Sequence, residues 1–169
     1  MKIEVTEFVD VDSRLKSLGM ALPDGFVIMP SNVATAEDAE ELVYAESATA
    51  IVKLLRQFSG LDPKTLSDPP LQVVHNRDIS VYLPLMYISA NCFVENREAL
   101  EAALKVIAEY VSTLLRGLAK GRNLSSAFVL ERKVTGATIY ERFEYTGPPE
   151  TLLQVLDRME NGDARERNE

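Results

Sequence analysis

The chain has 169 residues, of which 46% are hydrophobic and 26% charged, a balance that fits one ordinary globular domain and excludes a disordered or membrane-embedded chain. Eighteen Lys and Arg against 26 Asp and Glu give a net charge of −8, which repels phosphate and argues against nucleic acid as a partner. One cysteine and one histidine exclude an intrachain disulfide and a structural zinc site.

The N-terminal stretch MKIEVTEFVDVD carries acidic side chains and lacks the apolar core of a signal peptide. No apolar run approaches the roughly 20 residues that span a bilayer. We therefore expect a cytoplasmic protein without a membrane partner.

Several elements are predicted in the first 70 residues. Alternating apolar and polar side chains over residues 2–9 predict a strand, and the apolar stretch FVIM is a second candidate strand. Thr35 opens TAED, a capping-box pattern, and the spacing of the apolar residues that follow predicts one helix to about Phe58. Gly60 is placed to end that helix in a left-handed conformation. Three prolines in LDPKTLSDPP then indicate an irregular connector.

The stretch LQVVHNRDISVYLPL predicts two strands around an HNRD turn. The second of these, ISVYLPLMYIS, is apolar on both sides, as a central strand should be. Pro84 lies inside it, and a proline in a central strand requires a bulge or an edge position.

A long amphipathic helix is predicted from Arg97 to Lys120, capped by Asn96 and stopped by Gly121. Its apolar stripe consists of Leu100, Leu104, Ile107, Val111, Leu114, Leu115 and Leu118. The stripe is the largest single apolar face of the chain, so we expect this helix to organise the core.

The next segment, AFVLERKVTGATIYERFEY, predicts a hairpin with Thr135 and Gly136 as its loop. This register pairs Val134 with Ala137, Leu130 with Glu141 and Phe128 with Phe143. One face then collects Phe128, Leu130, Val134, Ile139 and Phe143. The opposite face, with Glu131, Lys133, Thr138, Tyr140, Arg142 and Glu144, is expected to be solvated. A short helix should follow near Pro149.

These elements predict a single α+β domain over residues 1–160 and a disordered polar tail over 161–169. The expected sheet is mostly antiparallel with about five strands, in the order βαββαββα. This order corresponds to a ferredoxin-like core with an extra hairpin strand and a C-terminal helix. Because of Pro84, a helix-grip or chaperone-like arrangement of the same elements stays open.

One candidate site follows from the split βαβ order, which brings the end of the first strand near the HNRD turn. Asp10 and Asp12 would then lie close to His75 and Asp78, where two carboxylates could hold a divalent cation and the histidine could act as a base. Turn chemistry explains HNRD better than an active site does, and Asp12 with Ser13 is also a candidate helix N-cap. We favour these structural interpretations and therefore assign no catalytic, cofactor-binding or metal residue.

No phosphate-binding, dinucleotide, serine-hydrolase or zinc-protease motif is present in the sequence. Cys92 has no basic neighbour, which favours a buried thiol over a nucleophile. The run AEDAEE could recognise a basic partner, although a solvated first helical turn explains it better.

We expect a non-catalytic module that binds another, unidentified protein in a regulatory, adaptor or chaperone-like role, and that needs no cofactor. The alternative is a small enzyme or small-ligand-binding protein that uses the Asp10, Asp12, His75 and Asp78 edge with a divalent cation. A homodimer is also expected, because Val129, Tyr140 and Tyr145 would leave apolar surface on the hairpin.

Overall fold

In the computed structural model, the described residues are 1–74, 81–116 and 124–166; the side chains of 81–82 and 163–166 are not described. The chain forms an α+β fold. Its elements are β1 (Lys2–Glu7), α1 (Val11–Ser17), β2 (Phe26–Met29), β3 (Tyr44–Ala45), α2 (Ala48–Phe58), β4 (Lys64–Thr65), β5 (Val73–Val74), β6 (Val81–Ile88), α3 (Ala90–Glu95), α4 (Arg97–Leu115), β7 (Leu124–Val134), β8 (Ala137–Gly147) and α5 (Gln154–Glu166).

Six of the described strands form one mixed sheet in the order β1-β8-β7-β6-β2-β4. The pairs β6–β7 and β2–β4 are parallel, and the other three are antiparallel. The prediction of a mostly antiparallel sheet missed this mixture, and the ferredoxin-like order is not confirmed. The physical reason is that α3 and α4 carry the chain back along the sheet, so β6 and β7 run in the same direction and pair directly. β1 lies at the edge beside β8.

Strand β6 lies inside this sheet, and of the two arrangements that Pro84 allows, a bulge or an edge position, the structure has the bulge. Its register with β7 shifts between Tyr82 and Leu85, and the residues from Leu83 to Ile88 are buried. Proline has no N–H to donate to a ladder, so a central strand tolerates Pro84 only where the ladder is interrupted. Strand β2 pairs with β6 only from Leu85 onward.

The β7–β8 hairpin has the predicted register, with Val134 opposite Ala137 and Phe128 opposite Phe143. Thr135 and Gly136 form the loop, with φ values of 48° and 82°. Two successive left-handed residues give the type I′ geometry that matches the right-handed twist of paired strands. A threonine therefore occupies a position that asparagine or glycine usually takes.

The single helix predicted from Thr35 to about Phe58 is wrong. The Asp38 side chain caps a 3₁₀ turn at Ala39–Glu41, and β3 interrupts the segment before α2 begins. The side-chain amide of Asn32 stabilises this non-helical segment. Its Nδ2 donates to the Glu41 carbonyl (2.9 Å), and its Oδ1 accepts from the Val43 backbone amide (3.0 Å). These long-range bonds replace the backbone bonds of a helix.

The end of α2 also differs from the prediction. Ser59 is the C-cap residue, and Gly60 is not among the residues with positive φ. The Ser59 amide and hydroxyl both donate to the Leu55 carbonyl, so the last turn needs no left-handed glycine.

Helix α4 is confirmed over Arg97–Leu115, and the residues predicted beyond 116 lie outside the described part of the chain. Leu100, Leu104, Ile107 and Val111 are buried, whereas Leu114 is exposed. The stripe continues through Leu115 because a step of four from Val111 stays on the same face. Asn96 occupies the N-cap position without a side-chain cap bond.

Both faces of the sheet are covered by helices. Helices α2, α4 and α5 pack on one face around Phe128 and Phe143. On the other face, Val11 and Leu15 of α1 pack against Val27, Met29, Leu85, Tyr87, Val129 and Tyr140. The hairpin face that we predicted to be solvated is therefore partly a second core, where Val129 is 1% and Tyr140 is 4% exposed.

Candidate functional site

The two aspartates of the predicted cation site stabilise helix α1. Asp10 is its N-cap, and its carboxylate accepts from the amide (3.1 Å) and the hydroxyl (3.0 Å) of Ser13. Asp12 pairs with Lys16 Nζ at 2.8 Å. The cap is thus Asp10 and not Asp12, because the helix begins at Val11. His75 and Asp78 lie outside the described residues, so the interpretation of HNRD as a turn stays a prediction.

Across residues 1–74, 81–116 and 124–166, no group of three or more His, Cys, Asp or Glu side chains is placed to hold a metal ion. Cys92 is buried in α3, and this burial raises the pKa of its thiol. A raised pKa keeps the thiol protonated, which is the opposite of what a nucleophilic cysteine requires.

A buried ion pair on the α5 side of the sheet escaped the sequence-based prediction. Arg132 Nε is hydrogen-bonded to Glu141, and its Nη2 donates to the Met159 carbonyl at 2.6 Å. The predicted hairpin register could have indicated this ion pair, because it places Arg132 and Glu141 on the same face as Phe128. The arginine fastens α5 to the sheet, so we assign it a structural role.

The opposite face holds a tyrosine–carboxylate network. The Tyr87 hydroxyl donates to Glu131 Oε2 (3.1 Å), and the Ala90 amide donates to Glu131 Oε1 (3.2 Å). Burial, and then the nearby Glu131 carboxylate, raise the pKa of Tyr87 well above its ordinary value and that of Tyr140 to about 12. Both phenols therefore stay protonated at neutral pH and cannot act as bases.

A groove opens on this same face beyond the part that α1 covers. It has a volume of about 290 Å³. Its wall carries an ion pair in which Arg142 Nε and Nη2 both lie 3.0 Å from Glu144 Oε1. The Arg142 guanidinium also lies 5.7 Å from the centre of the Phe8 ring. The lining residues are Ser31, Leu83, Leu85, Ser125, Ser126, Ala127, Arg142 and Glu144.

The groove follows from the size of the side chains in one row of the sheet. Leu85, Ala127 and Glu144 are directly opposite one another on β6, β7 and β8. Ala127 is the smallest of the three, so the row has a dip at its centre. Ser126 also lines the groove, but strand alternation directs its side chain to the other face, where its Oγ is buried without a hydrogen-bond partner among the described residues.

The outer edge of β1 is a second feature that a partner can use. The amide of Phe8 donates to the carbonyl of Tyr140 at 2.8 Å, which sets the phase of the β1–β8 ladder. Because bonded and non-bonded pairs alternate in an antiparallel ladder, the N–H and C=O groups of Ile3, Val5 and Glu7 point away from β8. No described strand pairs with this edge.

Comparison of the chain with protein-family models, with curated proteins and with solved structures found no match. Among the described residues, no helix is long and apolar enough to cross a membrane. A functional proposal therefore depends on the groove and on the β1 edge.

Proposed function

We propose that this protein is a non-catalytic interaction module that binds an extended segment of another protein along β1. The observation that carries the proposal is the six-residue edge strand with outward backbone groups at Ile3, Val5 and Glu7. An extended peptide adds to such an edge through main-chain hydrogen bonds, while alternate side chains supply specificity. A regulatory or adaptor role in the cytoplasm is part of this proposal.

The other edge of the described sheet is a poorer docking site. Strand β4 consists of Lys64 and Thr65 alone, and such a short edge offers few backbone groups. In β1, the side chains of Ile3 and Val5 are partly buried, and those of Lys2 and Glu4 form an exposed ion pair at 2.6 Å. Charges on an edge discourage unspecific pairing, so we expect a partner segment with complementary charges.

The test uses a proline substitution at Glu7, because this is the outward position whose side chain is exposed and does not pack against the core. Glu7→Pro removes an N–H that points away from β8, so the β1–β8 ladder keeps its bonds. Glu7→Ala is the matched control, because it removes the same exposed side chain and keeps the N–H. Both variants are compared with the original chain as bait for proteins captured from a cell lysate.

We expect the captured partner to be lost with Glu7→Pro and retained with Glu7→Ala. Hydrogen exchange on the recovered complex should then show slower exchange of the Ile3 and Val5 amides than in the isolated chain. Capture that is equal for both variants, or unchanged exchange at Ile3 and Val5, would show that the partner does not use this edge.

A homodimer also stays a proposal, although it needs a surface other than the predicted one. Val129, Tyr140 and Tyr145 are buried within the chain, so they leave no apolar patch on the hairpin. The edge of β1 is the surface that we propose for self-pairing. Light scattering behind a sizing column tests it, because a dimer of the 18.8 kDa chain should revert to a monomer with Glu7→Pro.

A further inference from the structure

The groove beside the Pro84 bulge combines an apolar floor with a pair of opposite charges. Ala127 and Leu85 are directly opposite each other on the floor, whereas the side chain of Leu83, which also lines the groove, packs into the core on the opposite face of the sheet. Arg142 and Glu144 stand at one end and are partly exposed. A ligand that matches this surface has a small apolar group and carries both a positive and a negative charge.

The ion pair offers bonding atoms to a ligand with an ammonium group as well as a carboxylate. The second carboxylate nearby, that of Glu4 directly opposite Glu144, is already paired with Lys2 Nζ at 2.6 Å. Only Oε1 of Glu144 contacts Arg142, which leaves Oε2 to accept from a ligand ammonium. The planar guanidinium of Arg142 has further donors for a ligand carboxylate.

The groove has room for a small ligand. Its volume of about 290 Å³ is enough for a free apolar α-amino acid, since about 10–15 Å³ of such volume already holds one water molecule. The groove is open to solvent on one side, so its volume sets no upper limit on the size of the ligand. In the lining, the Ser125 hydroxyl can supply a further hydrogen bond, and the Ser31 hydroxyl, which donates to the Val43 carbonyl at 3.2 Å, can still accept one.

We infer that this groove binds a free α-amino acid with an apolar side chain. The ligand carboxylate bonds to Arg142, its ammonium group bonds to Glu144, and its side chain lies over Ala127 against Leu85. No bond is made or broken in this binding step. The site is separate from the outward edge of β1, so the inference does not depend on the proposed partner.

Calorimetric titration of the full chain with L-leucine, L-isoleucine, L-valine and L-methionine tests the inference. We expect saturable binding of at least one of them. The two half-ligands of leucine, 4-methylpentanoate and 3-methylbutylamine, should bind at least about tenfold more weakly, since each lacks one charge. No saturable binding up to the solubility limit, or equal binding of either half-ligand, would overturn the inference.

Variants then locate the site. Arg142→Gln and Glu144→Gln should each weaken binding by about tenfold or more, because each removes one charged partner. Ala127→Leu should abolish binding by filling the floor, while the circular dichroism spectrum stays that of the original chain. Arg56→Gln is the control, because it removes an arginine that pairs with Asp62 outside the groove, although this arginine is more exposed than Arg142 (56% against 31%). Unchanged affinity in Arg142→Gln and Glu144→Gln would show that the amino acid binds at another place.

Discussion

Replacement of Arg132 by leucine should destabilise the fold by about 2–4 kcal/mol, even though leucine suits an apolar core. Arg132 is 7% exposed and its partner Glu141 is 21% exposed. The substitution leaves the Glu141 carboxylate without its arginine partner and removes a second hydrogen bond to the Met159 carbonyl of α5. Removal of one partner of a buried pair costs about 3–5 kcal/mol, and the partial exposure of Glu141 lowers this value because water reaches its carboxylate.

Urea unfolding followed by circular dichroism measures this cost. In a chain of this length, 1 kcal/mol corresponds to roughly 2–4 °C, so the melting temperature should also fall by roughly 5–15 °C. The double variant Arg132→Leu/Glu141→Leu should recover most of the loss, because an apolar pair of similar volume can replace a buried ion pair. A residual cost of about 1 kcal/mol is expected from the loss of the Arg132 hydrogen bond to the Met159 carbonyl.

Two results would contradict the burial of Arg132 and its coupling to Glu141. If Arg132→Leu stays within about 0.5 kcal/mol of the original chain, the position behaves as an ordinary surface site. If the double variant is as unstable as the sum of the single variants, Arg132 and Glu141 are not energetically coupled.

Three further predictions test the core, the α1 cap and the buried phenols. Leu104→Ala should lower the free energy of unfolding in urea by about 2–5 kcal/mol. Glu109→Ala, at an exposed position on the same helix, should lower it by less than about 1 kcal/mol. Equal losses at the two positions would contradict the burial pattern of α4. Asp10→Ala should cost about 1 kcal/mol through loss of the N-cap, and a Mg²⁺-induced rise in melting temperature that this variant abolishes would instead support a cation site. The pKa of Tyr140 is raised from 10.0 to about 12. Above pH 10 the folded state therefore keeps a proton that the unfolded state has released. The free energy of unfolding should accordingly fall between pH 10 and about pH 12. Tyr140→Phe should make that fall smaller, and an identical fall in both proteins would contradict the assignment.

The parts of the fold that the sequence predicted correctly depend on local patterns. A two-residue loop between two alternating segments leaves one register, so the Val134–Ala137 and Phe128–Phe143 pairs follow from the chain alone. The α4 stripe repeats at helical spacing for several turns and has few alternative explanations. The missing N–H of proline required either a bulge or an edge position at Pro84, and the place of β6 inside the sheet decided for the bulge.

The groove could be predicted from the sequence only in part. It placed Arg142 and Glu144 on one face of the hairpin, but it contained no sign that Leu85 would lie across from Ala127. Pairing of β6 with β7 creates that neighbour, and the pairing depends on how α4 packs. The small side chain at position 127 becomes a groove only between the larger groups on the adjacent strands.

The remaining features depend on contacts between segments that are distant in sequence. Alternation along a strand shows which residues share a face, but it does not show whether another element covers that face. Tyr140 and Val129 are buried because α1 packs on them, and Tyr44 leaves the helical pattern because β3 pairs with β5. Local sequence patterns therefore specify the hairpin and the long helix, whereas packing between distant segments produces the parallel pairs, the bulge at Pro84, the second core and the groove.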